Sequence, residues 1–185
     1  FPGLIWKMSG NRKEIYLTFD DGPIPEVTPW VLDTLRSFDA KATFFCVGDN
    51  VRKHPEIYDM VIHAGHTVGN HTLNHLSGWA TENITYFHNI RHCARMVNSG
   101  PFRPPYGKLK PSQVQFLQRH YRIIMWDVLS GDFDRDIRPE DCAQNVIQHA
   151  EAGSIVVFHD SIKAEANLRH ALPMVLEHFT REGYT

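Results

Sequence analysis

Residues 15–23 read Ile15-Tyr16-Leu17-Thr18-Phe19-Asp20-Asp21-Gly22-Pro23. The first five are apolar, β-branched or aromatic and spell a strand. Two carboxylates stand at its C-terminal end, and Gly-Pro then turns the chain. In residues 26–38, Val27, Trp30, Val31, Leu35 and Phe38 fall on one helical face, so a helix is expected there. A strand, an acidic turn and a helix therefore form the first unit of the fold.

The same unit recurs along the chain. Strands are expected at 42–47, 66–69, from Phe102, at 122–126 and at 154–158. Helices are expected at 51–63, 84–97, 111–120, 139–150 and from about 164 to 181, with Gly65, Asn98–Gly100 and Gly153 as stops and Pro111 as a start. About six strand–helix alternations imply parallel pairing with helices outside. No repeat, low-complexity stretch or linker interrupts them, so residues 1–185 are read as a single domain. A complete eightfold barrel takes about 250 residues. The expected fold is therefore a reduced or distorted (β/α) barrel of parallel strands with outer helices. A flat doubly wound sheet is the alternative, although no Gly-rich phosphate loop follows the first strand.

The composition is that of an ordinary globular protein: 185 residues, 42% hydrophobic and 22% charged. A net charge of −2 and the lack of a Lys/Arg stripe argue against nucleic-acid binding. No apolar run reaches the length of a membrane span. The chain begins at Phe1 with no Met or signal-like stretch. Prior removal of a signal peptide or anchor would account for this, and a periplasmic, secreted or other cell-envelope location is expected. A monomer is expected. Cys46, Cys93 and Cys142 lack CxxC spacing and are read as small buried residues, with one disulfide left open. Twelve His residues are more than usual and direct the search toward ligand pairs.

Polar residues gather where strands end. Asp20 and Asp21 follow the first strand, His71 and His75 the third, Arg103 and Tyr106 the fourth, Asp127 and Asp132 the fifth, and His159 and Asp160 the sixth. In parallel barrels these ends converge on one face, where active sites are built. His71 and His75 share a side if their turn is helical, and two imidazoles with one carboxylate make a catalytic-type zinc site. Taken singly, His-x-x-x-His reads as a solvated turn and Asp-Asp-Gly-Pro as a capped one. Their joint position, with His159 at another strand end, favours a metal site. One of the adjacent carboxylates would bind the metal and the other act as base on water activated by it, with Arg103 favouring the ionised form. His159 would be the general acid.

These segments resemble the motifs of NodB-type polysaccharide deacetylases, carbohydrate esterase family 4. Thr18 to Pro23 resembles the first motif, His71-Thr72-Leu73-Asn74-His75 the second and Arg103-Pro104-Pro105-Tyr106-Gly107 the third. Trp126 to Phe133 resembles the fourth, and Val157-Phe158-His159 the fifth. They occur in order across residues 18–159. The resemblance implies a NodB homology domain that hydrolyses the acetamide of N-acetylglucosamine-type residues in a peptidoglycan- or chitin-like glycan and releases acetate. It implies Asp20 as base, and Asp21, His71 and His75 as ligands of one divalent ion, Zn2+ first, with Co2+, Ni2+ or Mn2+ as substitutes. Arg103 would orient Asp20, the Tyr106 N–H would hold the oxyanion, and Asp132 would tune His159. Pro105, Tyr106, Phe133 and Val157 would line the substrate pocket. Two positions depart from the family pattern: Leu129 stands where many members carry Asp, and Phe133 where they carry Trp. Val157 replaces a common Leu.

Two other functions compete: an O-acetyl esterase on xylan-type glycans with the same metal site, and a non-catalytic glycan-binding module. The second predicts loss of Asp20, a ligand or His159, and none is lost. Trp30 and Trp126 are read as packing residues, Trp79 as a candidate for the cleft wall, and Asp160 and Ser161 as loop or cap residues. His63, His66, His149, His170 and His178 are read as structural.

Overall fold

The structure is a computed structural model that describes residues 2–185. Eight strands form one sheet: β1 (Leu4–Ile5), β2 (Tyr16–Asp20), β3 (Thr43–Cys46), β4 (Thr67–Asn70), β5 (Pro101–Phe102), β6 (Arg122–Ile124), β7 (Val128–Leu129) and β8 (Ile155–His159). Their order is β1-β6-β5-β4-β3-β2-β8-β7, and every pairing is parallel. Seven helices surround it: α1 (Thr28–Ser37), α2 (Gly48–Lys53), α3 (Pro55–His63), α4 (Asn83–Ala94), α5 (Pro111–Leu117), α6 (Pro139–His149) and α7 (Glu165–Arg181).

The order of the strands shows that the sheet curls. Between β6 and β7 lie five other strands, yet only residues 125–127 connect the two in the chain. In a flat sheet, six spacings of about 4.8 Å would separate them by about 29 Å. Four Cα steps reach at most about 15 Å. The sheet is therefore a distorted, open barrel, as the length of the chain led one to expect.

Strand alternation divides the side chains between two faces. Leu17 and Phe19 of β2, Phe44 and Cys46 of β3, and Val156 and Phe158 of β8 point outward into the main core. Register places Phe19 beside both Phe44 and Phe158. Their rings stack at centroid distances of 5.0 and 5.8 Å, forming a ladder under the outer helices. A second cluster joins Tyr86 and Ile90 of α4, Val114 and Leu117 of α5, and Phe102 and Ile123 of the sheet. Thr18, Asp20, Phe45, Val157 and His159 occupy the alternate positions of their strands, facing the barrel interior.

Three local features differ from the sequence reading. The expected 51–63 helix is two helices meeting at His54, whose φ of −131° is non-helical. Pro55 disfavours the helical conformation of the residue before it and starts the next helix well. β1 and β7 are two-residue strands whose pairing is stabilised only by a neighbour, so no periodicity announces them. All three cysteines are free and buried.

Candidate metal centre and active site

Asp20 ends β2 and pairs in register with His159, which ends β8. The two expected proton-transfer groups thus stand side by side on adjacent strands. Asp21 leaves the strand with φ 88°, and this reversal turns its carboxylate away from the direction strand alternation would give. The turn is held from several sides. Asn50 Nδ2 donates to Asp21 O at 2.7 Å, and Val47 N donates to Gly22 O at 3.0 Å. The Gly22 N–H donates to Asp160 Oδ1 at 3.1 Å, and Thr28 Oγ1 donates to Asp160 Oδ2 at 2.8 Å. Only glycine fits at position 22, since a Cβ there would lie 2.0 Å from Asp160 Oδ2.

His71 and His75 reach Asp21 by a route other than the expected helical turn. Residues 71–75 lie in a loop with positive φ at Thr72 (64°) and His75 (62°). Asn70 Oδ1 accepts from Thr72 N, and Thr72 Oγ1 accepts from Leu76 N, which sets the loop. His71 Nε2 lies 3.3 Å and His75 Nε2 3.1 Å from Asp21 Oδ1, and the three ligand atoms all fall within 4.8 Å of one another. His71 Nδ1 donates to Arg103 O at 2.7 Å. That bond leaves the lone pair of Nε2 facing Asp21 Oδ1, a buried oxygen with no hydrogen-bond partner. Converging acceptors with no shared proton repel unless a cation sits among them. The donor set fits a divalent ion of the zinc type. Burial raises the Asp21 pKa, but positive charge among these groups, on His71 and His75 when protonated or on a cation in place of their protons, outweighs it and holds the carboxyl well below its usual range.

Arg103 is fully buried. Its NH1 donates to Asp20 Oδ1 at 2.9 Å and to Thr18 Oγ1 at 2.6 Å. Nε and NH2 donate to the carbonyls of Ile124 and Met125 at 3.1 and 2.9 Å. The guanidinium is sandwiched between Phe45, 4.3 Å from the ring centroid, and Trp126, at 5.6 Å. Trp126 is thus a packing residue, but one that packs directly on a site residue.

On the other side of Asp20, His159 Nδ1 meets Asp132 Oδ1 at 2.8 Å. Asp132 is fully buried; its N–H donates to Ser130 Oγ, and Asn167 Nδ2 donates to its carbonyl. Burial lowers the His159 pKa, but Asp132 and the nearby Asp20 and Asp21 outweigh it and lift the imidazole to about 9. Burial in turn raises the Asp132 carboxyl, against the pull of His159. Phe133 packs edge-on against His159 at 5.4 Å, and Val157 is buried one inward position below it on β8.

The Tyr106 ring packs on His75 at 4.7 Å. Its backbone takes φ 63° in the turn Pro105–Gly107, which is closed by Gly107 N to Pro104 O and Lys108 N to Pro105 O. The Tyr106 N–H takes part in neither bond.

Asp127 does not belong to this group. Its carboxylate accepts from Ile155 N and Ser154 Oγ at the start of β8, the end remote from His159. It follows β6 in sequence, but the chain has by then crossed to β8. Asp160 is a loop residue, as expected, yet a fully buried one, and burial pushes its carboxyl up to about 7. Thr18, Asn50, Ser130 and Asn167 support the site and were not singled out in the sequence. Thr18 lies in the decisive stretch itself; the others carry no local signal.

A family model described as polysaccharide deacetylase matches residues 7–121. The chain belongs to this family. A Bacillus cereus peptidoglycan-N-acetylglucosamine deacetylase is 31% identical over 186 aligned residues, covering 97% of this chain and 87% of the relative. A chitooligosaccharide deacetylase of Azorhizobium caulinodans is 33% identical, covering 83% of this chain and 77% of the relative. The crystal structure of the Bc1960 peptidoglycan N-acetylglucosamine deacetylase superposes with a TM-score of 0.94 at 27% identity, over 99% of this chain and 90% of that one. This polysaccharide deacetylase is accordingly a hydrolase acting on a carbon–nitrogen bond other than a peptide bond, built on the NodB-type distorted barrel of carbohydrate esterase family 4.

Proposed function

We propose that residues 1–185 act as one metal-dependent catalytic domain that hydrolyses the acetamide of N-acetylglucosamine-type residues in a glycan of peptidoglycan or chitin type. The observation that carries this is the flanking of three converging acceptors, Asp21 Oδ1, His71 Nε2 and His75 Nε2, by an Asp20–Arg103 pair and an Asp132–His159 pair. The names of the relatives, peptidoglycan and chitooligosaccharide deacetylases, point to the same bond.

A divalent ion held by Asp21, His71 and His75, zinc before cobalt, nickel or manganese, would supply Lewis acidity to water and to the acetamide carbonyl. Asp20, aimed by Arg103, takes a proton as water oxygen attacks the carbonyl carbon. The Tyr106 N–H donates to the oxygen on which negative charge develops. His159, whose Nδ1 is fixed by Asp132, gives a proton from Nε2 to the departing nitrogen. The C–N bond breaks to leave acetate and the free sugar amine. Phe133 and Val157 form an apolar wall for the acetyl methyl, with Pro105 and Tyr106 on the facing side.

No helix of the described residues is long and apolar enough to cross a membrane. Cell-envelope glycans as substrates fit a monomeric enzyme acting at the envelope or in the periplasm, or secreted from the cell. The test is acetate release from chitin oligosaccharides, peptidoglycan and acetylated xylan with each added metal. Turnover of the N-acetylated glycans with zinc is expected, and its loss in Asp20→Asn. Failure to retain metal after zinc reconstitution, unchanged turnover in Asp20→Asn, or acetate from xylan alone would sink the proposal.

A further inference from the structure

His75 and His159 are each flanked by an aromatic ring, and over each ring stands a lysine. On one side Tyr106 packs on His75, and Lys108 Nζ lies 5.7 Å from the Tyr106 centroid and 5.2 Å from that of Trp79. On the other, Phe133 packs on His159, and Lys163 Nζ lies 5.9 Å from the Phe133 centroid. Trp79 and Tyr106 are each 62% exposed, so their faces form an open rim. The Trp79 indole N–H donates to Leu109 O at 3.2 Å, which fixes the ring while leaving its face available. In the strand order, His75 and Tyr106 belong to the β4–β5 side of β2, and His159 and Phe133 to the β8–β7 side. The two lysines thus bracket the strand that carries Asp20 and Asp21.

Four of the seven lysines, Lys7, Lys13, Lys41 and Lys110, each end on a protein oxygen. Among the described residues, neither Lys108 nor Lys163 has a carboxylate within ion-pair distance, and each is held over a ring beside the cleft. A neutral glycan would leave both charges without a counter-ion. A glycan in which the acetamido sugar alternates with a carboxylate-bearing sugar has a different geometry. When the uncharged sugar lies at the metal centre, both of its neighbours carry a carboxylate, one toward each side of the cleft.

Resting on the deacetylase reading above, we propose that Lys108 and Lys163 recognise carboxylates on the two sugars flanking the one that is deacetylated. The preferred substrate is then an alternating glycan whose lactyl groups are free carboxylates, as in strands that carry no stem peptide, rather than neutral chitin, with Trp79 supplying a stacking face for a flanking ring.

The zinc-reconstituted chain is assayed for acetate release on three probes: an N-acetylglucosamine pentamer, a tetrasaccharide alternating N-acetylglucosamine with lactyl-bearing muramic acid, and that tetrasaccharide with its carboxylates converted to amides. Relative to the neutral pentamer, Lys108→Gln and Lys163→Gln each lower kcat/KM on the acidic probe about threefold, and the double variant about tenfold, the size expected of exposed charge contacts. The loss lies in KM and fades at about 0.5 M salt. The amidated probe reproduces the loss with the unaltered chain, and the variants add nothing to it. Equal losses on acidic and neutral probes, or none on the acidic one, overturn the assignment. Calorimetric binding of the same probes to Asp20→Asn reads the lysines without turnover. Charge-dependent binding with no acetate from any probe would defeat the deacetylase reading and spare this one.

Discussion

Asp132 holds His159 at two points. Oδ1 meets the ring Nδ1 at 2.8 Å, and Oδ2 accepts from the His159 backbone N–H at 2.8 Å. One carboxylate thus sets the tautomer, the ring direction and the charge of the proposed acid. The ring is protonated below about 9 and loses its proton as pH rises through that value. Asp132→Asn keeps the shape and removes the charge. We expect kcat/KM to fall about a hundredfold, within the range typical for general acids, and the alkaline limb of the pH profile to move to lower pH. An unmoved limb in the variant would exclude His159 as its source.

Arg103 makes four hydrogen bonds inside the barrel, one of them to Asp20. Arg103→Met leaves a buried carboxylate and two carbonyls unpaired, so a loss of about 3–5 kcal/mol is expected in urea unfolding. Arg103→Lys keeps a charge but not the planar fork and should recover only part of it. A Lys variant as stable and active as the parent would contradict the need for a planar fork that serves all four acceptors.

The metal site makes a stability prediction independent of turnover. An ion that binds only the folded chain, at about 100 times its Kd, adds about 2.7 kcal/mol. Zinc should therefore raise the melting temperature of the parent and leave Asp21→Ala and His71→Ala unmoved. An equal rise in Asp21→Ala would show that the ion binds elsewhere.

Asp160 predicts a stability slope. Its carboxyl is raised by burial from 3.8 to about 7, so between these values the folded chain keeps a proton that the unfolded chain has lost. Stability from this group falls as pH rises through that window, by about 4 kcal/mol over about three pKa units. Asp160→Asn can still accept from Gly22 N and donate to Thr28 Oγ1. Denaturation midpoints of the variant should lack this component of the slope. A parallel profile for the two proteins would show that the carboxyl is not raised.

Much of this was legible before any coordinates. Strand and helix periodicity is local, so six strands and the helix positions could be read, and each strand's end marked a place on one face. The split at His54–Pro55, the two-residue strands and the escape of Asp127 to the start of β8 were not legible. The two strands and Asp127 depend on partners far away in the chain, and the split on a local proline effect that the helical periodicity of the window masks. Asp160 was visible as a neighbour of His159, but not as the residue that clamps Gly22.

The sequence by itself determined the alternation of elements, the residue types at the strand ends and the family they resemble, because these are carried by short windows of chain. The tertiary structure decided which ends meet. It placed Asp20 beside His159, turned Asp21 toward two histidines through a positive φ, and buried Arg103 between Phe45 and Trp126. Such relations come from strand register and curl, which no local window encodes. They alone turn a set of polar residues into an unshared cluster of lone pairs that calls for a metal.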